Sequence, residues 1–402
     1  MSKEDWTMIL NFRVGGFCSI NEIQELTLTP FFNQRIKGTK YEDTYIETPR
    51  GKVAKSAIIF GQNSTGKTNF LLALTKCCEL ILLGADFFNT YNKDFFCAFQ
   101  DEPETFFELK ILSGKDIFTF LIKFGYSQNR DDKRIYVLEE RLQRNKEEIY
   151  HFFDNKLTLT PKIKAAANLQ EIHSVPSTST ILSKIRDNIS GETIGFLDSV
   201  DSITYSLGDS SFYGRDKERG LLVGAGEFGK DLIDKNKDIV CKLFKNIDHT
   251  ITNVSLKEVP AEKEPMYKFV FYRRTSDGKE RQFEDKTESQ GIKHMILLVG
   301  WIIRVMQEQL VLIVDELDAP ISTRSLLGLF VHFIQTEDNR GGQLIVTTHS
   351  LELFDINIFP PSQIYIAQKT DSLNTVIHSL ADYDVRTDRK RLAERFLQGA
   401  FD

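Results

Sequence analysis

The stretch Ala57-Ile58-Ile59-Phe60-Gly61-Gln62-Asn63-Ser64-Thr65-Gly66-Lys67-Thr68-Asn69-Phe70 decides how the rest of the chain is read. An apolar β-rich run breaks at a glycine, and Phe70, Leu71, Leu74, Cys78 and Leu82 then follow at helical spacing. Gly61, four residues, then Gly66-Lys67-Thr68 is the phosphate-loop pattern, in which small residues let backbone N–H groups wrap phosphates at a helix N-terminus. Gly61, Gln62, Asn63, Ser64, Thr65, Gly66, Lys67, Thr68 and Asn69 are therefore expected to bind nucleotide. Lys67 is placed to reach the β- and γ-phosphates as a point charge, and the Thr68 hydroxyl to take one Mg²⁺ position.

A second constellation lies far along the chain. Leu310-Val311-Leu312-Ile313-Val314 is apolar throughout, as a strand buried on both faces must be, and it ends in Asp315-Glu316. Acidic residues at the carboxyl end of a central strand stand where α/β sheets place ligands. Asp315 is expected to hold Mg²⁺ through its water shell, and Glu316 to orient and deprotonate the attacking water. The next strand, Leu344 to Thr348, delivers His349 to the equivalent level as a γ-phosphate sensor. Glu288-Ser289-Gln290-Gly291 opens an apolar-faced helix, which Ser289 would cap and whose Gly291 would let a phosphate approach closely.

Elsewhere the patterns are structural. Thr7 to Val14 and Ile20 to Leu28 read as two strands joined at Gly15-Gly16, a flap beside the nucleotide. Residues 29–54 read as an irregular excursion, and Thr105 to Thr160 as a β-meander. Residues 161–250 read as a mostly helical insertion, with a long polar helix from Asp231 to Ile247. Gly224, Gly226 and Gly229 match the dinucleotide fingerprint, but no second strand ending in an acidic residue follows, so a Gly-rich connection is the better reading. After strands at Ile251 to Val259 and Met266 to Arg273 and a hairpin at Thr275-Ser276-Asp277-Gly278, helices and strands alternate as in a mainly parallel α/β sheet. Edge strands at Ile364 to Ala367 and Thr375 to His378 and a last helix from Arg389 to Leu397 complete the reading.

Composition sets the bounds. The chain has 402 residues, 41% hydrophobic and 27% charged, as in globular proteins. A net charge of −6 argues against wrapping nucleic acid by bulk charge. Arg386, Arg389, Lys390, Arg391 and Arg395 still leave a basic surface for nucleic acid or protein, or simply a solvated helix face. Five scattered cysteines have no zinc spacing and point to reduced thiols in the cytoplasm. The opening residues lack a secretion signal, and no apolar run is long enough to suggest a membrane span.

In order along the chain, the phosphate loop, Ser289-Gln290-Gly291, Leu310 to Glu316 with Leu317-Asp318, and Thr347-Thr348-His349 resemble the Walker A, signature, Walker B, D-loop and H-switch of ABC-type ATPase heads. The resemblance is to the SMC/RecF-like branch, and within it to compact ATPases of bacterial phage-defence systems of the abortive-infection, Septu-like, retron-associated and OLD-like kinds. It extends to Phe12 through Ile20, similar to that branch's opening strand, and to the ending around Val385 to Arg389. It implies that Ser289, Gly291 and Asp318 contact nucleotide, and that a Q-loop glutamine, for which Gln100 is the candidate, reaches the metal. The chain departs from the pattern at Cys18, where an arginine is common, and at Ile321-Ser322, where a Leu-His pair often stands.

The resulting expectation is an ABC-type P-loop ATPase head of the α/β class. It has a mainly parallel core sheet, an antiparallel β-meander and an inserted, mostly helical subdomain. Residues 1–160 form one ATPase lobe, 161–250 the insertion and 251–402 the second lobe. About 220 residues separate Thr68 from Ser289 without sustained heptads, so a chromosome-condensing arm is excluded. About 50 residues follow His349, too few for a nuclease domain, so a nuclease would be a partner chain. The resemblance implies ATP and Mg²⁺, a homodimer or higher oligomer with shared ATP sites, and a defence role beside an effector encoded nearby. An ATP-gated clamp on nucleic acid and a RecF-like repair factor are the alternatives.

Overall fold

A computed structural model of the chain describes residues 6–30, 36–91, 95–97, 99–100, 103–126, 134–160, 179–186, 191–207, 227–260, 265–318, 321–383, 394 and 396. The chain opens with β1 (Thr7–Gly15) and β2 (Gln24–Thr27), an antiparallel pair, then a hairpin of β3 (Tyr45–Thr48) and β4 (Gly51–Ala54). That hairpin lies in the stretch expected to be irregular. Its strands are four residues long and rich in polar side chains, so alternation had too few positions to register. The loop strand β5 (Ser56–Phe60) leads into helix α1 (Lys67–Tyr91), which is broken at Gly84, where φ is 78°.

Five strands follow as a meander: β6 (Glu104–Ser113), β7 (Asp116–Tyr126), β8 (Ile135–Arg144), β9 (Glu147–Phe153) and β10 (Lys156–Leu159). With the flap they make a seven-stranded antiparallel sheet in the order β10-β9-β8-β7-β6-β1-β2. Beyond it come α2 (Ile181–Ile185), α3 (Gly191–Asp201), β11 (Thr204–Ser206), α4 (Glu227–Lys235) and α5 (Lys237–Ile247). The long helix expected from Asp231 is thus two helices, parted at Asn236, which donates its side-chain amide to Leu232 O. Of the glycine fingerprint, residues 221–226 lie outside the described residues, and helices rather than a strand follow it.

A three-stranded sheet of β12 (Ile251–Val259), β13 (Met266–Arg274) and β14 (Glu280–Glu284) follows. Then come α6 (Gln290–Glu308), β15 (Val311–Val314), α7 (Thr323–Leu329) running into a π turn, β16 (Gln343–Thr348), β17 (Ile364–Lys369) and β18 (Thr375–Ser379). The expected last helix is described only at Glu394 and Phe396, both helical, and the five basic residues near it lie outside the described residues.

The core sheet runs β11-β15-β16-β5-β17-β18, parallel except for β18. Its central strands are apolar throughout because each face meets a different core. Ala57, Ile59, Val311, Ile313 and Ile345 turn to the side of α1 and the seven-stranded sheet. Ile58, Phe60, Leu312, Val314, Leu344 and Val346 turn to the side of α6 and α7. β11 comes from the segment expected to be mostly helical, and its three residues pair with β15 in parallel. The stretch Lys67–Ala85 has the length and apolarity of a membrane span, yet its Phe70, Leu71, Leu74, Cys77 and Ile81 are core residues. This topology is the mixed, mainly parallel sheet plus antiparallel meander expected of an ABC-type head.

Candidate active site

The parallel strands β15, β16 and β5 are consecutive neighbours, so the turns after all three emerge at one edge of the sheet. That edge, at the carboxyl ends of the strands, carries the phosphate loop, Asp315-Glu316 and His349.

The loop itself is wound by two left-handed residues, Ser64 (φ 66°) and Gly66 (φ 95°), which turn successive N–H groups inward as an anion nest. Gly66 has to be glycine for a second reason: a Cβ there would stand 2.0 Å from Thr375 Oγ1 and 2.9 Å from Ser19 Oγ. Those two hydroxyls are the loop's outer brace. Ser19 and Thr375 share a hydrogen bond of 2.7 Å, Thr375 Oγ1 donates to Thr65 O at 2.9 Å, and Asn69 donates to Ser19 Oγ at 2.8 Å. Asn69 thus supports the loop from behind. Gln62, Asn63, Ser64 and Thr68 are exposed, as a loop that wraps phosphates requires.

Lys67 is nearly covered, at 4% exposure, and its ammonium donates to Gly61 O and Gln62 O at 2.8 Å each. Burial lowers its pKa, and Asp315, Glu316 and Asp318 pull it part of the way back. Thr68 Oγ1 donates to Asp315 Oδ2 at 2.8 Å. Two hard oxygen donors therefore converge where Mg²⁺ chemistry asks for them, since that ion takes one or two carboxylates, hydroxyls and substrate phosphates. The residues fit the ion.

Asp315 is gripped from its other side by Thr347, whose hydroxyl donates to Oδ1. The same hydroxyl accepts the Glu316 N–H at 2.8 Å. Glu316 itself is left-handed, with φ at 52°, a conformation that costs a side-chain-bearing residue about 1–2 kcal/mol. Its amide bond to Thr347 and the Leu317 N–H bond to Thr347 O hold that turn. Its side chain is half-exposed and lies 3.3 Å from His349 Nε2. His349 Nδ1 sits 3.0 Å from Gly61 O and 3.3 Å from Lys67 Nζ. The carbonyl requires a proton on Nδ1 and the ammonium a lone pair, so only one of these bonds is made at a time. Asp318 accepts the His349 N–H at 3.1 Å, tying the turn after β15 to the turn after β16, and its Oδ1 is buried with no hydrogen-bond partner among the described residues.

Ser289 caps α6 as its position suggests, accepting the Ile292 N–H at 3.3 Å. Ser289 and Gln290 are exposed, Gly291 is partly so, and no hydrogen bond joins Ser289 or Gly291 to the phosphate loop among the described residues. Gln100 makes no hydrogen bond to the phosphate loop or the acidic pair among the described residues, and its side-chain oxygen accepts the Glu104 N–H at 3.0 Å at the start of β6. At Cys18, burial and then Cys97 push the thiol up to about 12, so a thiol takes the position of the usual arginine without supplying a charge. Ser19, Thr375 and Thr347 were not singled out by the sequence. Each acts through a contact with a residue distant in the chain, and only the Thr-Thr-His run hinted at Thr347.

The profile of the family described as "AAA domain, putative AbiEii toxin, Type IV TA system" matches residues 56–355, from the first residue of β5 to just past His349. The chain belongs to this family. Its matched span contains the phosphate loop, the N-terminus of α6, the acidic pair and His349, so the chain carries a P-loop ATPase domain of this family. The flap and β17–β18 lie outside the matched span, although Ser19 and Thr375 brace the loop from there. No protein of curated function matches the chain in sequence.

Similar solved structures include an Smc head bound to the C-winged helix domain of ScpA, 14% identical, covering 93% of this chain and 98% of that one at a TM-score of 0.48. The SMC head domain from Thermotoga maritima is 12% identical, with coverages of 92% and 98% and a TM-score of 0.45. An Smc head domain with an extended coiled coil, bound to the C-terminal domain of ScpA and derived from Pyrococcus furiosus, is 11% identical, with coverages of 98% and 100% and a TM-score of 0.45.

Proposed function

We propose that the chain binds ATP with Mg²⁺ and hydrolyses it as a two-fold dimer with shared sites, serving in the cytoplasm as the sensor or motor of an anti-phage system beside a separate effector. The observation that carries this reading is the convergence of Lys67, Thr68, Asp315, Glu316 and His349 on one edge of the core sheet. The nest and Lys67 hold the β- and γ-phosphates. When bound, Mg²⁺ supplies positive charge against the charge developing on the transferring phosphoryl group. Glu316 accepts a proton from the water that attacks the γ-phosphorus, and the bond to the β-phosphate oxygen breaks to release ADP. His349, hydrogen-bonded between Glu316 and the loop, senses whether the γ-phosphate is present.

The shared site is supported by α6, whose Ser289-capped, exposed N-terminus offers N–H groups to an anion but makes no bond to the chain's own loop. A second copy related by a two-fold axis would supply that anion. The defence role is supported by the family's description as a putative AbiEii toxin of a Type IV TA system.

Lys67→Ala tests the reading with two readouts. By calorimetry the variant is expected to lose ATP binding, and in a bacterial host carrying the neighbouring effector gene it is expected to lose protection in phage plating. Wild-type ATP affinity in the variant would refute the cradle. Intact protection by a variant that no longer binds ATP would refute the link between the two.

A further inference from the structure

One side chain ties the signature helix to the rest of its lobe. Arg273, near the end of β13, donates Nη1 and Nη2 to Glu288 Oε1 and Oε2, each at 2.7 Å. Nε and Nη2 also donate to Asp248 Oδ2 at 3.1 and 2.8 Å, and the guanidinium lies 5.0 Å over the Phe283 ring. The fork is shielded, with side-chain exposures of 16% for Arg273 and 5% for Glu288. Glu288 immediately precedes Ser289, the cap of α6.

Capping α6 requires only the Ser289 hydroxyl, so the fork adds something else. A two-bond guanidinium–carboxylate pair fixes direction as well as distance, because both groups are planar. Shielded ion pairs are also poor stabilisers, since desolvation offsets much of their attraction. What this one supplies is orientation, anchored on Asp248 and the Phe283 ring.

We infer that Arg273 is a positioning residue that aims the Ser289 end of α6, through Glu288, at nucleotide held by a second copy of this chain. This rests on the shared-site reading. Arg273 then acts in trans: breaking the fork slows hydrolysis while leaving the chain's own phosphate loop able to bind ATP.

The test uses the full chain carrying Arg273→Lys, which keeps the charge and loses the two-bond fork. Glu288→Gln attacks the same fork from its other end. Each is expected to lower kcat about 10-fold or more with unchanged ATP affinity, which a general loss of folding would not produce. Subunit mixing then assigns the defect to one half of the site. Arg273→Lys mixed with Lys67→Ala gives mixed dimers with one site intact of two, so about a quarter of wild-type activity returns under random pairing. Mixed with Ser289→Arg, it leaves every site with a faulty signature, and activity stays at baseline.

The control is Ser289→Arg with Lys67→Ala, which also recovers about a quarter. If the control recovers but Arg273→Lys with Lys67→Ala does not, or if Arg273→Lys turns over like wild type, the inference is overturned and the shared site stands. If the control stays flat with subunit exchange confirmed, the shared-site reading fails and the inference falls with it.

Discussion

Thr347 donates its hydroxyl hydrogen to Asp315 Oδ1, across the boundary between two neighbouring parallel strands. Because the same oxygen accepts the Glu316 N–H, one buried side chain orients the Asp315 carboxylate and holds the left-handed turn that presents Glu316. The acidic pair is set by its neighbour strand as much as by its own.

Thr347→Val keeps the shape of the side chain and removes both bonds. Leaving buried polar groups unpaired costs about 1–3 kcal/mol, and if that freedom goes into misaiming the carboxylates, kcat falls about 10-fold or more. Thr347→Ser retains the hydroxyl and is expected to recover most of the rate. ATPase assays on both variants check this. A valine variant with wild-type kcat would mean that the acidic pair holds its geometry without the hydroxyl.

Glu140 gives a pH-dependent prediction far from the phosphate loop. Fully buried, it accepts the N–H groups of Ile181 and Leu182 at 2.7 and 2.9 Å and the Tyr150 hydroxyl at 2.7 Å, pinning α2 to the meander. Burial raises its pKa from 4.5 to about 7, against the pull of those hydrogen bonds. A carboxyl with a raised folded pKa holds its proton more tightly when folded, so its contribution is fully present below about 4.5 and is lost as pH rises through about 7. Glu140→Gln does not titrate. Relative to wild type, the variant is therefore expected to gain stability between about pH 4.5 and 7, by up to about 3 kcal/mol, with no further change above that window. Urea unfolding of both proteins at several pH values reads the difference, and a difference independent of pH would contradict the assignment.

Much of this architecture is legible in the sequence because the signals are local. The glycines around Lys67 encode a loop that only small residues can form, and the apolar run ending at Asp315-Glu316 encodes a strand covered on both faces. What stays hidden depends on pairing at a distance. β11 is three residues long and becomes a strand only by lying against β15. The hairpin of β3 and β4 is too short to show a period. Ser19, Thr375 and Thr347 are ordinary hydroxyl residues until folding brings them to the loop and the acidic pair. Arg273 reads as the end of a strand, and its fork to Glu288 closes over 15 positions that a hairpin folds back. Gln100 is marked only by a family pattern, and its bond to the Glu104 N–H at the start of β6 carries no local sequence signal.

The central claim is that Glu316 drives hydrolysis within a nucleotide-sandwiched dimer, and Glu316→Gln in the presence of ATP and Mg²⁺ tests it most directly. The substitution removes the proton acceptor while leaving the phosphate loop, Thr68 and Asp315 untouched. Turnover is expected to fall about 10²-fold or more, and size-exclusion chromatography with ATP to show a dimer that is absent without nucleotide. Wild-type turnover, or a monomer alone in saturating ATP, would contradict the account.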